Sequence, residues 1–129
     1  MDNHNILVID DSVEIVDLIE IYLKNEGYGV YKASNGADGL KVLESEKVHL
    51  VVLDIMMPDM DGQETCRRIR QKMNIPVIML SAKSQDMDKI LGLGTGADVY
   101  MIKPFNPMEL IARIKSQLRR YLYFNTHGS

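Results

Sequence analysis

Val48-His49-Leu50-Val51-Val52-Leu53-Asp54 is the stretch on which the fold turns. Apart from His49 it is an apolar run, and it ends abruptly in a carboxylate. The run is short for a core helix and lacks the alternation of a half-exposed strand, so it predicts a strand buried on both faces. Ile6 to Ile9 and Ile75 to Leu80 are runs of the same kind. Tyr28 to Ala33 and Val99 to Lys103 are less apolar and include Lys32 and Lys103, which suits strands at a sheet edge.

Amphipathic stretches separate these runs. Ser12 to Glu26 brings Ile15, Val16, Ile19, Tyr22 and Leu23 to one helical face and Asp17, Glu20 and Lys24 to another, and Gly27 stops it. Further helices are predicted around Ala37, Leu40 and Leu43, over Gln63 to Lys72, over Gln85 to Leu93, and over Pro107 to Leu122. This alternation predicts an α/β fold, a doubly wound five-stranded parallel sheet with five helices. Right-handed crossovers, with the most apolar runs central, select the strand order 2-1-3-4-5. Residues 1–122 form the predicted domain, and 123–129 a tail or the start of a linker.

The 129 residues, 46% hydrophobic and 26% charged, are the balance of one globular domain. No apolar run approaches the ~20 residues of a membrane helix, and the start has no signal-peptide pattern, so a cytoplasmic protein is expected. A net charge of −3 offers no basic surface to DNA or anionic lipid. The single cysteine, Cys66, excludes an internal disulfide and is expected to be a packed helix residue.

In a doubly wound sheet the functional crevice lies beyond the carboxyl ends of the strands, where the strand order reverses. Strand one ends in Asp10 and Asp11, strand three in Asp54, strand four in Ser81, and strand five in Lys103. Carboxylates converging there repel by about 4 kcal/mol per pair at ~4 Å and an effective dielectric near 20. A hard dication such as Mg²⁺ offsets that repulsion with oxygen ligands, and Lys103 adds a point-like charge. Each residue also has a plainer reading. Asp10 or Asp11 could cap the helix opening at Ser12, Ser81 could cap a turn, and Lys103 could be solvated. Asp54 resists one, because a carboxylate ending a buried run is costly unless paired or used.

The motifs Ile9-Asp10-Asp11-Ser12, Leu53-Asp54-Ile55-Met56-Met57-Pro58-Asp59-Met60-Asp61-Gly62, Ser81-Ala82-Lys83 and Lys103-Pro104-Phe105 together resemble the receiver domain of two-component response regulators. The resemblance covers nearly the whole chain. It implies that Asp54 is the phosphoacceptor for a sensor histidine kinase and that Asp11 and Asp54 bind Mg²⁺ directly. Asp10 would act through water, and Met56 would lend its backbone carbonyl. Ser81 and Lys103 would contact the phosphoryl group, Tyr100 would swing inward on activation, and Pro104 would follow a cis peptide bond.

Gly96-Ala97-Asp98, Pro107 to Leu110 and Leu118-Arg119-Arg120 further resemble the OmpR-type subfamily, whose receivers carry a winged-helix DNA-binding domain. The chain is accordingly expected to be the receiver part of a longer transcription regulator. It would form a homodimer on phosphorylation, reach DNA only through an output domain outside this chain, and have no membrane partner. Lys89, Asp98, Glu109 and Arg113 are the candidate dimer residues, Lys89 matching Glu109 and Asp98 matching an arginine of the fifth predicted helix. Glu109 and Arg113 also have the spacing of a local intrahelical pair. Val99 stands where the subfamily usually has an aspartate.

Two other classes each make a demand on the sequence. A Mg²⁺-dependent phosphohydrolase forming an aspartyl-phosphate needs an acid two residues after its nucleophile, where this chain has Met56. A flavin-binding electron carrier needs a phosphate cradle after strand one, where Asp10-Asp11-Ser12-Val13-Glu14 is acidic. The expectation is therefore a switch, with no enzyme activity beyond its own phosphoryl transfer and dephosphorylation.

Overall fold

The computed structural model describes residues 4–57, 60–82 and 96–127, with side chains to Tyr123. Five strands, β1 (Asn5–Ile9), β2 (Gly29–Ala33), β3 (Leu50–Asp54), β4 (Val77–Ser81) and β5 (Val99–Ile102), form one sheet in the order β2-β1-β3-β4-β5. Every pairing is parallel. The less apolar strands β2 and β5 take the edges, where half their residues' surroundings need not be hydrocarbon.

The helices among the described residues are α1 (Val13–Asn25), α2 (Gly36–Ser45), α3 (Gly62–Lys72) and α4 (Pro107–His127). That is four where the sequence predicts five, because the helix predicted over 85–93 lies outside the described residues, Lys89 with it. α4 corresponds to the last predicted helix and runs on past Leu122 to His127. No proline or glycine between Met108 and His127 interrupts it.

Successive strand residues point to opposite faces, so the apolar runs feed two cores at once. Leu7, Ile9, Val51, Leu53, Val77 and Met79 pack with Leu43, Cys66 and Ile69 from α2 and α3. Ile6, Val8, Leu50, Val52, Ile78 and Leu80 pack with Ile19 and Leu23 of α1 and Leu110, Ile114 and Leu118 of α4. Burial pushes the Cys66 thiol up to about 11, so it stays protonated and behaves as a small apolar group.

β3 and β4 end in Asp54 and Ser81, as the sequence predicts, whereas β1 and β5 stop at Ile9 and Ile102, one residue before Asp10 and Lys103. Asp54 pairs with Leu80, and Ser81 pairs with Ile102, so both polar residues belong to the sheet. Backbone pairing does not stop where hydrophobicity does. Each of these two side chains is therefore held by a strand rather than a loop.

Candidate functional site

Asp10 follows the last residue of β1 and remains tied to the sheet, its N–H donating to the Ala33 carbonyl at 3.1 Å. Its carboxylate is 2% exposed as a residue and fully engaged: Oδ1 accepts from the Ser12 N–H at 2.9 Å and Oδ2 from Lys103 Nζ at 2.9 Å. The N-cap of α1 is Ser12, whose Oγ accepts from the Ile15 N–H at 3.4 Å. A serine performs the capping, so neither Asp10 nor Asp11 is consumed by it. Asp11 lies exposed between them.

Asp54, 4% exposed, closes β3. Its Oδ1 accepts weakly from the Met56 N–H at 3.4 Å and lies 3.3 Å from Lys103 Nζ. Oδ2 accepts from no described residue. Behind it the chain returns tightly, because the Gly62 N–H donates to the Ile55 carbonyl at 3.0 Å. A Cβ on Gly62 would collide with the Asp54 carbonyl oxygen and Ile55 Cα, both of them backbone. Asp61 caps α3 by accepting from the Glu64 N–H at 2.9 Å. The start of α3 thus braces the end of β3.

Lys103 follows β5, with its N–H donating to the Ser81 carbonyl at 2.7 Å, and the Lys103–Pro104 peptide bond is cis. Its ammonium is largely buried between the two aspartates. Burial alone would lower its pKa, but the hydrogen bond and charge of Asp10, then those of Asp54, hold it above the ordinary lysine value.

Asp54 is less well compensated. Burial, followed by the charge of Asp10, pushes its carboxyl up to about 6, against the opposing pull of Lys103. The geometry explains the imbalance, since the ammonium sits closer to Asp10 than to Asp54.

One carboxylate oxygen from each of Asp10, Asp11 and Asp54 can be chosen so that all lie within 4.8 Å of one another. This is the one such cluster of three potential ligands among the described residues. Its donors are all hard oxygens, with no imidazole or thiolate, which fits Mg²⁺ and disfavours zinc or copper. Among the described residues, the excess of negative charge over the Lys103 ammonium fits the same ion.

The remaining predicted residues fall into two groups. Ser81 is fully buried at the end of β4, Tyr100 is half-buried on β5 opposite Met79, and Met56 is 50% exposed at the rim. Among the dimer candidates, Glu109 and Arg113 face solvent 3.9 Å apart in a local i,i+4 pair. Asp98 is engaged within its own chain, where Oδ2 accepts from Arg70 Nη2 at 2.7 Å and from the Val77 N–H at 2.9 Å. Sequence reasoning missed two positions that brace neighbouring elements. Gly62 had a local signal, a glycine directly after a capping aspartate. Arg70 had none, for a basic residue in the last turn of a helix reads as dipole complementation.

A family model for the response regulator receiver domain matches residues 6–115. The regulatory protein VanRc of Enterococcus gallinarum is 47% identical over 123 residues, covering 95% of this chain and 53% of that protein. This chain therefore spans about half the length of that relative. A CheY-like receiver domain protein from Methanospirillum hungatei superposes with a TM-score of 0.86 at 32% identity, covering 93% of this chain and 97% of that one. The response regulator DrrB of Thermotoga maritima, an OmpR/PhoB homologue, gives 0.82 at 38% identity, covering 92% of this chain and 54% of that one. Among the described residues no helix is long and apolar enough to cross a membrane.

Proposed function

Because this chain belongs to the response regulator receiver domain family, in its OmpR-type branch, we propose that Asp54 accepts a phosphoryl group from a sensor histidine kinase. Asp10, Asp11, Asp54 and the Met56 carbonyl are the residues that would hold Mg²⁺. An incoming phosphoryl group carries about −1.5 to −2 charges and cannot approach three carboxylates unaided. Bound Mg²⁺ supplies the charge that offsets this repulsion.

The observation that carries the reading is the buried Lys103 ammonium, set between Asp10 and Asp54 and held charged. It orients Asp54 through Oδ1. An Asp54 oxygen forms the new bond to phosphorus as the donor's P–N bond breaks, and the electron pair leaves with the imidazole nitrogen. Lys103 then stabilises the transferred oxygens.

The charge becomes a shape change through Ser81, whose hydroxyl would bond a phosphoryl oxygen, and through Tyr100, which would turn into the vacated space. The consequence is a two-fold dimer using Lys89, Asp98, Glu109 and Arg113, and control of a DNA-binding domain outside this chain. The protein would work in the cytoplasm, and its chemistry would be confined to its own phosphorylation and dephosphorylation. The discriminating experiment is phosphorylation by a small phosphodonor in Asp11→Ala and in wild type with excess chelator. Rates equal to those of the metal-loaded wild type in either case would exclude the site.

A further inference from the structure

Arg70 projects from the last turn of α3 and makes three hydrogen bonds to the segments that open β4 and β5. Nη1 donates to the Ile75 carbonyl at 2.7 Å, Nε to the Gly96 carbonyl at 2.8 Å, and Nη2 to Asp98 Oδ2 at 2.7 Å. Gly96 has φ +88°, and a Cβ there would meet Arg70 Cγ at 3.0 Å, so Gly96 leaves room for this side chain. Asp98 is gripped a second time through the Val77 N–H on Oδ2 and through its own N–H to the Val77 carbonyl at 2.9 Å.

The result is a carboxylate with divided duties. Oδ2 is committed to two donors of its own chain, while Oδ1 has no partner among the described residues and the side chain remains 40% exposed. Asp98 and Arg120 line the same cleft of about 550 Å³, together with Asn74, Gln117 and Tyr121. No ion pair joins Asp98 to Arg120 within the chain among the described residues. A carboxylate fixed by one oxygen and open at the other is set up to accept from a donor on another molecule. It has already lost the rotamer freedom that association would otherwise have to remove.

We propose that Arg70 is a positioning residue for dimerisation: its three-pronged grip presents Asp98 Oδ1 as a fixed acceptor for an arginine of a second copy of this chain. The proposal rests on the reading that Asp98 belongs to the activated dimer. Arg70 touches no partner residue itself. Its planar fork cannot be replaced by a lysine, which could satisfy one acceptor but not three in fixed directions.

Sedimentation equilibrium with Mg²⁺ and beryllofluoride tests this on wild type, Arg70→Gln, Asp98→Asn and the double variant, with melting temperatures recorded alongside. Arg70→Gln should weaken the activated dimer by about two- to ten-fold, the cost of freeing one such side chain. Asp98→Asn should weaken it at least as much, and the double variant no further than Asp98→Asn alone. Should Arg70→Gln not fold, Arg70→Lys should show most of the same loss. A merely structural arginine would lower the melting temperature and weaken the dimer equally with or without Asp98, and such additivity overturns the proposal. So does an unchanged dimer in the Arg70 variants beside a dimeric wild type. A wild type that stays monomeric at high micromolar concentration instead overturns the dimer reading, and the proposal with it.

Discussion

Lys103 Nζ lies 3.3 Å from Asp54 Oδ1 but 2.9 Å from Asp10 Oδ2, so its ammonium belongs more to Asp10 than to Asp54. Asp54 is left buried and only partly compensated. That places it where metal or phosphoryl chemistry can change its environment most.

The first prediction concerns the metal-free protein. The Asp54 pKa rises from 3.8 to about 6 on folding, so between those values the folded state holds more protons than the unfolded one. Stability attributable to Asp54 is therefore lost as pH rises through that window. Asp54→Asn should be more stable than wild type at pH 7 by about 1–2 kcal/mol, the full linkage value being reduced for screening. The gain should vanish near pH 4 and shrink when Mg²⁺ is added to wild type. Urea denaturation across pH measures it, and a destabilised Asp54→Asn at neutral pH would contradict the electrostatics.

At the opposite end of the sheet the sign reverses. His49 Nδ1 accepts from the Asn5 N–H at 2.9 Å, and the His49 and His4 rings meet edge to face. Burial first, then the charges of His4 and Lys47, hold the His49 pKa below its ordinary 6.5. Protonation removes the acceptor for Asn5 and is disfavoured in the fold. Stability from His49 is thus complete above pH 6.5 and lost as pH falls below it. His49→Gln should flatten the acid limb of the denaturation profile below pH 6.5. An acid limb identical to wild type would assign the loss to other groups.

Gly62→Ala should be severe for a buried-backbone reason rather than a conformational one. The new methyl meets the Asp54 carbonyl and Ile55 Cα, neither of which can rotate away. A cost of about 1–3 kcal/mol is expected, together with slower phosphorylation because Asp54 itself must shift. Normal phosphorylation kinetics in a destabilised Gly62→Ala would separate the brace from the site.

Ser81→Ala should accept phosphate yet respond weakly. Throwing a switch from 1:99 to 99:1 takes about 5.5 kcal/mol of differential interaction, and one charge-assisted contact is a sizeable part of it. NMR shifts around Tyr100 on beryllofluoride addition should shrink in this variant. Shifts as large as those of wild type would remove Ser81 from the mechanism.

Much of this arrangement was legible in one dimension because the physics is local. Buried strands must be apolar, so an Asp54 or a Ser81 closing such a run stands out against hydrocarbon. The strand order followed from which runs could tolerate an edge. The choice among Asp10, Asp11 and Ser12 as the cap of α1 was not legible, since all three are capping residues in sequence and only the backbone path selects Ser12. Nor was the Arg70 to Asp98 contact, which joins residues 28 apart in sequence through geometry that no local pattern encodes. The length of α4 was missed for a different reason. Helix propensity carried it past Leu122, where the apolar pattern had already served its purpose.

The central claim, that Asp54 is the residue phosphorylated, is tested most directly by intact-protein mass after incubation with Mg²⁺ and a small phosphodonor. Wild type should gain the mass of a single phosphoryl group, lost on base treatment as an acyl phosphate requires, and Asp54→Asn should gain none. A wild type that stays unmodified under these conditions, or an Asp54→Asn variant phosphorylated to the same extent, would contradict the account.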